Sequence, residues 1–202
     1  MPGAEANRGA GASGERTCYA PAMTVRTIAV FCASAMGAGE VYREAAEELG
    51  RTLAERGIGL IDGGSDVGLM RALADACLAN GGHVVGVIPE VLVDKEVAHR
   101  GITELHVVDT MHTRKALMGE RADAFLILPG GFGTMEEMFE VLAWQTLGLH
   151  TKRIVLLNTA GFYDALLRWL DHAVEQGMLR GRSRQILLTA TSVTEAMDLL
   201  LT

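Results

Sequence analysis

Ala124-Phe125-Leu126-Ile127-Leu128-Pro129-Gly130-Gly131-Phe132-Gly133-Thr134-Met135-Glu136-Glu137 is the stretch that decides the fold. Its first five residues are apolar without interruption, the mark of a strand buried on both faces. Beyond the glycines, Met138 to Leu147 carries apolar residues at helical spacing. A strand that runs through glycines into a helix brings backbone close to a ligand. The helix start adds unpaired N–H groups and the positive end of a dipole. Such a turn cradles phosphate, so Gly130, Gly131, Phe132, Gly133 and Thr134 are candidate binding residues. Glu137, one turn further on, would repel a bound anion, and its presence points to chemistry beside the phosphate. A plainer reading stays open, in which Thr134-x-x-Glu137 is a capping box whose two side chains satisfy each other's N–H groups.

The same alternation extends outward in both directions. Strands are expected at Thr27–Cys32, Ile58–Ile61, His83–Ile88, Leu105–Val108, Arg153–Leu157 and near Ile186. Helices are expected at Val41–Arg56, Val67–Asn80, Thr110–Arg121, Tyr163–Gln176 and Thr194–Leu200, with a looser section from Pro89 to Gly101. Gly81-Gly82 stands where a helix-ending glycine belongs. Strands and helices in alternation imply an α/β fold, a single-domain Rossmann-like parallel sheet with helices on both faces. Ligands of such sheets sit beyond the carboxyl ends of the strands. Three loops of small residues leave those ends: Cys32-Ala33-Ser34-Ala35, Gly63-Gly64-Ser65, and Pro129 to Thr134. They are expected to line one crevice, which adds Ser34, Gly63 and Gly64 to the candidates.

Bulk properties narrow the partners. A chain of 202 residues is one domain with a full core, assigned here to residues 24–202. Residues 1–23 are rich in Gly, Ala, Ser and Pro without periodicity and read as a disordered extension, with Met23 a candidate second translation start. The net charge of −7, with no block of Lys or Arg, argues against nucleic acid or an anionic membrane as partner. No apolar run approaches the ~18–20 residues of a membrane span. Cys18, Cys32 and Cys77 are odd in number and widely spaced, which favours a reducing cytoplasm over a disulfide framework. Cys32 is expected to be a buried structural residue. The six histidines show no ligand spacing, so no metal and no cofactor are expected.

Met111-His112-Thr113-Arg114-Lys115 opens the helix before the deciding strand. Arg114 offers a permanent charge and a planar fork suited to phosphate or carboxylate. Arg114 and Lys115 are otherwise ordinary solvated charges, although cations at a helix start oppose its dipole. Met111-His112-x-Arg114-Lys115 followed by Pro129-Gly130-Gly131-x-Gly133-Thr134-x-x-Glu137 resembles the LOG family, the cytokinin riboside 5′-monophosphate phosphoribohydrolases, whose members have often been labelled lysine decarboxylases. The resemblance runs from about Ile28 to the end. It takes in Gly63-Gly64, Val67-Gly68-Leu69-Met70, Gly86-Val87-Ile88-Pro89 and Leu147-Gly148-Leu149-His150-x-Lys152.

The resemblance implies hydrolysis of the N-glycosidic bond of a nucleoside 5′-monophosphate, giving a free base and ribose 5-phosphate. It implies Arg114 and Glu137 as the catalytic pair, with Met111 and Lys115 beside the substrate. Arg114 would orient substrate and Glu137, or offset phosphate charge; both roles stay open. Glu136 is expected at solvent or a neighbouring subunit, and Glu140, on the face of Glu137, is expected to line the site or cap a partner Arg. The resemblance further implies a homodimer. The helix from Phe139 to Leu149, with Trp144 on it, either supplies that contact or simply packs on the sheet.

Five positions depart from the family pattern: Ala33 and Ala35 in the first loop, Ser65 in the second, then Arg71 and Arg153. A carrier that binds a nucleotide or cofactor without hydrolysing it is the alternative, though it leaves Arg114 and Glu137 without a task. Pyridoxal-phosphate chemistry needs a Schiff-base lysine, and Lys95, Lys115 and Lys152 sit in no recognisable cofactor motif.

Overall fold

The computed structural model describes residues 24–93 and 98–202. The expectations for residues 1–23, including Cys18 and Met23, and for Lys95 fall outside the described residues. Seven strands form one sheet: β1 (Thr27–Phe31), β2 (Gly59–Asp62), β3 (Val84–Pro89), β4 (Glu104–Val108), β5 (Ala124–Ile127), β6 (Ile154–Leu157) and β7 (Leu187–Ala190). Their order is β4-β3-β2-β1-β5-β6-β7, and every neighbouring pair is parallel. The helices are α1 (Glu40–Glu55), α2 (Gly68–Ala79), α3 (Glu90–Val93), α4 (Met111–Arg121), α5 (Phe132–Thr146), α6 (Asp164–Glu175), α7 (Gly181–Arg184) and α8 (Val193–Leu201). The expected α/β architecture is present.

Strand periodicity sorts the core into two layers. Ile28, Val30, Leu60, Leu126 and Val155 face one side, where Leu49, Leu53, Leu69, Leu73 and Met197 of α1, α2 and α8 cover them. Ala29, Phe31, Ile61, Phe125, Ile127 and Leu156 face the other, against Met118, Met138, Val141 and Leu170 of α4, α5 and α6. Each such Leu, Ile or Phe stabilises the fold by about 1.5–3 kcal/mol on leaving water. Both faces being covered explains why β1 and β5 read as unbroken apolar runs. Edge strand β4 is different: it is partly exposed and carries Glu104, whose Oε2 lies 3.3 Å from Arg121 Nη1. Charge on an edge strand discourages pairing with another sheet.

Strand addition runs one way from β1 through β4 and the other way from β5 through β7. The reversal falls between β1 and β5, and ligands of open parallel sheets bind at such a switch point. The helix start at the glycine turn is where the sequence puts it, with Glu137 one turn inside. Helix α5 begins at Phe132, six residues ahead of the apolar spacing that starts at Met138. Phe132, Gly133 and Thr134 of its first turn line the crevice, while Met135 packs on the core. The looser section contains α3 and an antiparallel bridge between Ser65 and Ala98.

Candidate active site

A crevice of about 240 Å³ opens at the switch point. Of the residues singled out from sequence, Ser34, Gly63, Met111, Arg114, Gly131, Phe132, Gly133, Thr134 and Glu137 line it. The three loops are stitched together by backbone. Ala33 N–H donates to Pro129 O at 3.2 Å, and Ala33 O accepts from Leu69 N–H at 3.0 Å. Gly68, at φ +60°, lets α2 start directly against Ser34.

At the start of α5 the cap residue is Gly131, with no side-chain cap bond. Thr134 is therefore inside the helix, and the capping-box reading of Thr134-x-x-Glu137 is overturned. The first helical bond runs from Met135 N–H to Gly131 O at 3.0 Å. The N–H groups of Phe132, Gly133 and Thr134 thus have no partner within the helix. A Cβ built on Gly131 or Gly133 would meet no protein atom within 4 Å. Glycine inside a helix costs about 1 kcal/mol relative to Ala, and no internal packing at Gly133 repays it. Gly130 has another role, since a Cβ there would strike the Thr134 side chain.

Arg114 and Glu137 approach from α4 and α5. Both are only 7% exposed, which removes the reading of Arg114 as a solvated charge. Arg114 Nε donates to Val87 O at 3.0 Å, and its Nη2 lies 3.7 Å from Glu137 Oε1. The guanidinium rests on Gly63, where a Cβ would come within 2.1 Å of Nη2. Thr110 caps α4 by accepting from Thr113 N–H at 3.1 Å, so the helix start places Arg114 one turn in.

Lys115 is placed differently from expectation. It is equally buried, but its ammonium pairs with Glu136 and, at 3.0 Å, with Glu140 Oε1. It does not line the crevice. Burial alone would lower the Lys115 pKa, and the two carboxylates more than reverse that. Glu136 and Glu140 accordingly serve Lys115, and Lys152 Nζ donates to Gly119 O at 2.6 Å. Gly64 also stays outside the crevice wall, packed behind it against Gly86 and Val87. Trp144 packs inward against Gly119.

Cys32, Ala33 and Ala35 of the first loop line the crevice as expected, and the structure adds Met70, which the sequence reading did not place there. Burial pushes the Cys32 thiol well up, and the nearby Asp62 and Glu137 carboxylates push it further, which keeps it a neutral wall. Asp62, 1% exposed at the end of β2, lies behind Gly63. Its only sequence signal was an acid closing an apolar strand ahead of two glycines. Ser65 is accommodated because only Gly64 of that loop has positive φ, +69°. Arg71 turns to Asp66 and Asp75, at 3.4 and 3.2 Å, and Arg153 to Leu199 O at 2.9 Å, so neither lines the crevice.

A seven-stranded parallel sheet with a crevice at its switch point, holding a buried arginine and a buried carboxylate, defines a Rossmann-like α/β protein. A family model described as possible lysine decarboxylase matches residues 70–200. A cytokinin riboside 5′-monophosphate phosphoribohydrolase of Arabidopsis thaliana is 46% identical over 175 residues, 87% of this chain and 82% of the relative. One from Rhodococcoides fascians is 47% identical, covering 86% and 88% of the two chains. The chain belongs to the LOG family of cytokinin riboside 5′-monophosphate phosphoribohydrolases. The solved molybdenum cofactor binding protein of Rippkaea orientalis matches with TM-score 0.66 at 21% identity, over 88% of this chain and 96% of that one, a likeness of fold alone.

Proposed function

We propose that this chain hydrolyses the N-glycosidic bond of adenosine 5′-monophosphates, including those substituted at N6, to a free base and ribose 5-phosphate. One observation carries the reading: a buried carboxylate and a buried guanidinium meet beside a helix start whose glycines leave room for a phosphate. The N–H groups of Phe132, Gly133 and Thr134 hold the 5′-phosphate, aided by the α5 dipole. That anchor, remote from the breaking bond, fixes the ribose over Glu137.

Cleavage breaks the C1′–N bond, the base leaving with the electron pair, and passes through an oxocarbenium-like sugar. The Glu137 carboxylate stabilises that positive charge and takes a proton from the water that bonds to C1′, and a proton reaches the departing base from solvent, leaving neutral base and ribose 5-phosphate. Arg114 sits where it orients Glu137 and balances charge in the crevice. The crevice is smaller than the ~300–1,000 Å³ of pockets that enclose a whole drug-sized ligand. It therefore takes the ribose phosphate and leaves the base at the mouth, beside Met111 and the 98% exposed Phe132.

The active form is a homodimer in this reading. An apolar groove of about 370 Å³ between α5 and the α6–α7 region, lined by Phe139, Leu142, Leu147, Leu170 and Leu179, supports it, as do the exposed Leu149 and Trp169 beside that groove. Cys32 and Cys77 are buried free thiols, in keeping with a reducing cytoplasm. Among the described residues no helix is long and apolar enough to cross a membrane. Chromatographic assay of isopentenyladenosine 5′-monophosphate and AMP tests the proposal. Base and ribose 5-phosphate appearing in equal amounts is the expected outcome; binding of the monophosphates with no base released would refute it.

A further inference from the structure

Arg114 is the only cation among the described residues that line the crevice, and two buried carboxylates flank it. Glu137 stands in front of it. Asp62 stands behind, and its Oδ1 accepts the Gly64 N–H at 2.8 Å. That bond holds the turn that sets Gly63 under the guanidinium, where any side chain would collide with Nη2. The far side of the turn is clamped too: Gly64 O accepts from His99 N–H at 2.9 Å, and the ring Nε2 of His99 lies 2.9 Å from Asp75 Oδ1. A carboxylate is not needed for such a turn, because a neutral amide oxygen would accept the same N–H. Keeping a charged group there, away from water, is costly, and asks what the charge does.

We propose that Asp62 is a positioning residue for Arg114: it fixes the Gly63 seat of the guanidinium, and its charge competes with the substrate phosphate for that one cation. The inference rests on the phosphate-binding role assigned above. Several charged or titratable groups face Asp62: Cys32 at the end of β1, Cys77 on α2, His99 before β4 and Arg114 on α4, with Glu137 of α5 across Arg114. Burial raises the Asp62 pKa to about 6, against the bond from Gly64 and the pull of His99 and Arg114. Asp62 is therefore neutral in mild acid, leaving Arg114 to Glu137 and the ligand. Above pH 6 it ionises, and the crevice holds anions less tightly.

Asp62→Asn keeps the acceptor for Gly64 N–H and removes the charge. The test is calorimetric titration of ribose 5-phosphate into wild type and Asp62→Asn at pH 5.0 and pH 7.5. Ionisation of the ligand and of every other side chain is common to both proteins and cancels in the ratio of their Kd values. The variant is expected to bind at least threefold more tightly than wild type at pH 7.5, and within experimental scatter of it at pH 5.0. Asp62→Ala, which loses the turn bond as well, is expected to bind more weakly than Asp62→Asn at both pH values. A ratio near one at both pH values would overturn the inference. So would Asp62→Asn and Asp62→Ala behaving alike. The pH-dependent ratio in a protein that releases no base would sustain the role of Asp62 while removing the hydrolase reading, so the two fail separately.

Discussion

At the scale of single residues, the site depends on close approach between backbone and charge. Gly63 is the sharpest case, because a methyl group there would sit 2.1 Å from Arg114 Nη2 and 2.8 Å from Met70 Sδ. Gly63→Ala must push the guanidinium off its seat. A displacement of about 1 Å in a positioning group costs on the order of 10²-fold in rate. The variant should therefore stay folded while kcat falls by roughly that factor; activity within threefold of wild type would contradict this packing. Asp62 makes a separate prediction about stability. Its pKa is raised from 3.8 to about 6 on folding, so the folded protein holds a proton that the unfolded chain has already lost between those values. Stability from this group is complete below pH 3.8 and is lost as pH rises through 6, up to about 3 kcal/mol at 1.36 kcal/mol per pH unit. Asp62→Asn escapes that loss. Urea unfolding should find it more stable than wild type at pH 7.5 and equal to it near pH 4.

At the scale of elements, the glycine turn at the start of α5 was legible because its signals are local. An apolar run, a set of glycines and a following helix name a strand, a turn and a helix start without knowledge of anything distant. The pairings were not legible. Lys115 adjoins Arg114 in sequence, yet successive helical residues point about 100° apart, so one enters the crevice and the other reaches Glu136 and Glu140. The burial of Asp62 at the end of β2 was not legible either, since it comes from packing of distant elements, among them α4, whose Arg114 lies over β3. The start of α5 was legible from the same local signals, and the structure puts its cap at Gly131. Contact between elements also sets the cost at Gly68, where α2 meets the first loop. A Cβ there would lie 2.2 Å from the Ser34 carbonyl carbon, at a φ of +60°. Gly68→Ala combines left-handed strain of about 1–2 kcal/mol with overpacking of about 1–3 kcal/mol. Its Tm should drop by roughly 5–15 °C. An unchanged Tm would show that the first loop is not held by α2.

At the scale of the whole molecule, a chain of net charge −7 binds an anion only through a local arrangement. In the proposed function the switch point supplies it, a helix start and Arg114 converging at the ends of β1 and β5. The apolar groove beside α5 makes the oligomeric prediction. Light scattering should give twice the chain mass of 21.6 kDa, and Leu147→Glu with Leu149→Glu should halve it. A wild-type monomer at micromolar concentration would remove the dimer from the account. The central claim, that Glu137 cleaves an N-glycosidic bond in a substrate anchored by its 5′-phosphate, is tested most directly by one comparison. Base release would be followed from isopentenyladenosine 5′-monophosphate and from its nucleoside, with wild type and Glu137→Gln, alongside ribose 5-phosphate binding. The account predicts cleavage of the monophosphate only, a fall of at least 10²-fold in Glu137→Gln, and binding retained in that variant. Equal cleavage of the nucleoside, or a Glu137→Gln enzyme that keeps its turnover, would contradict it.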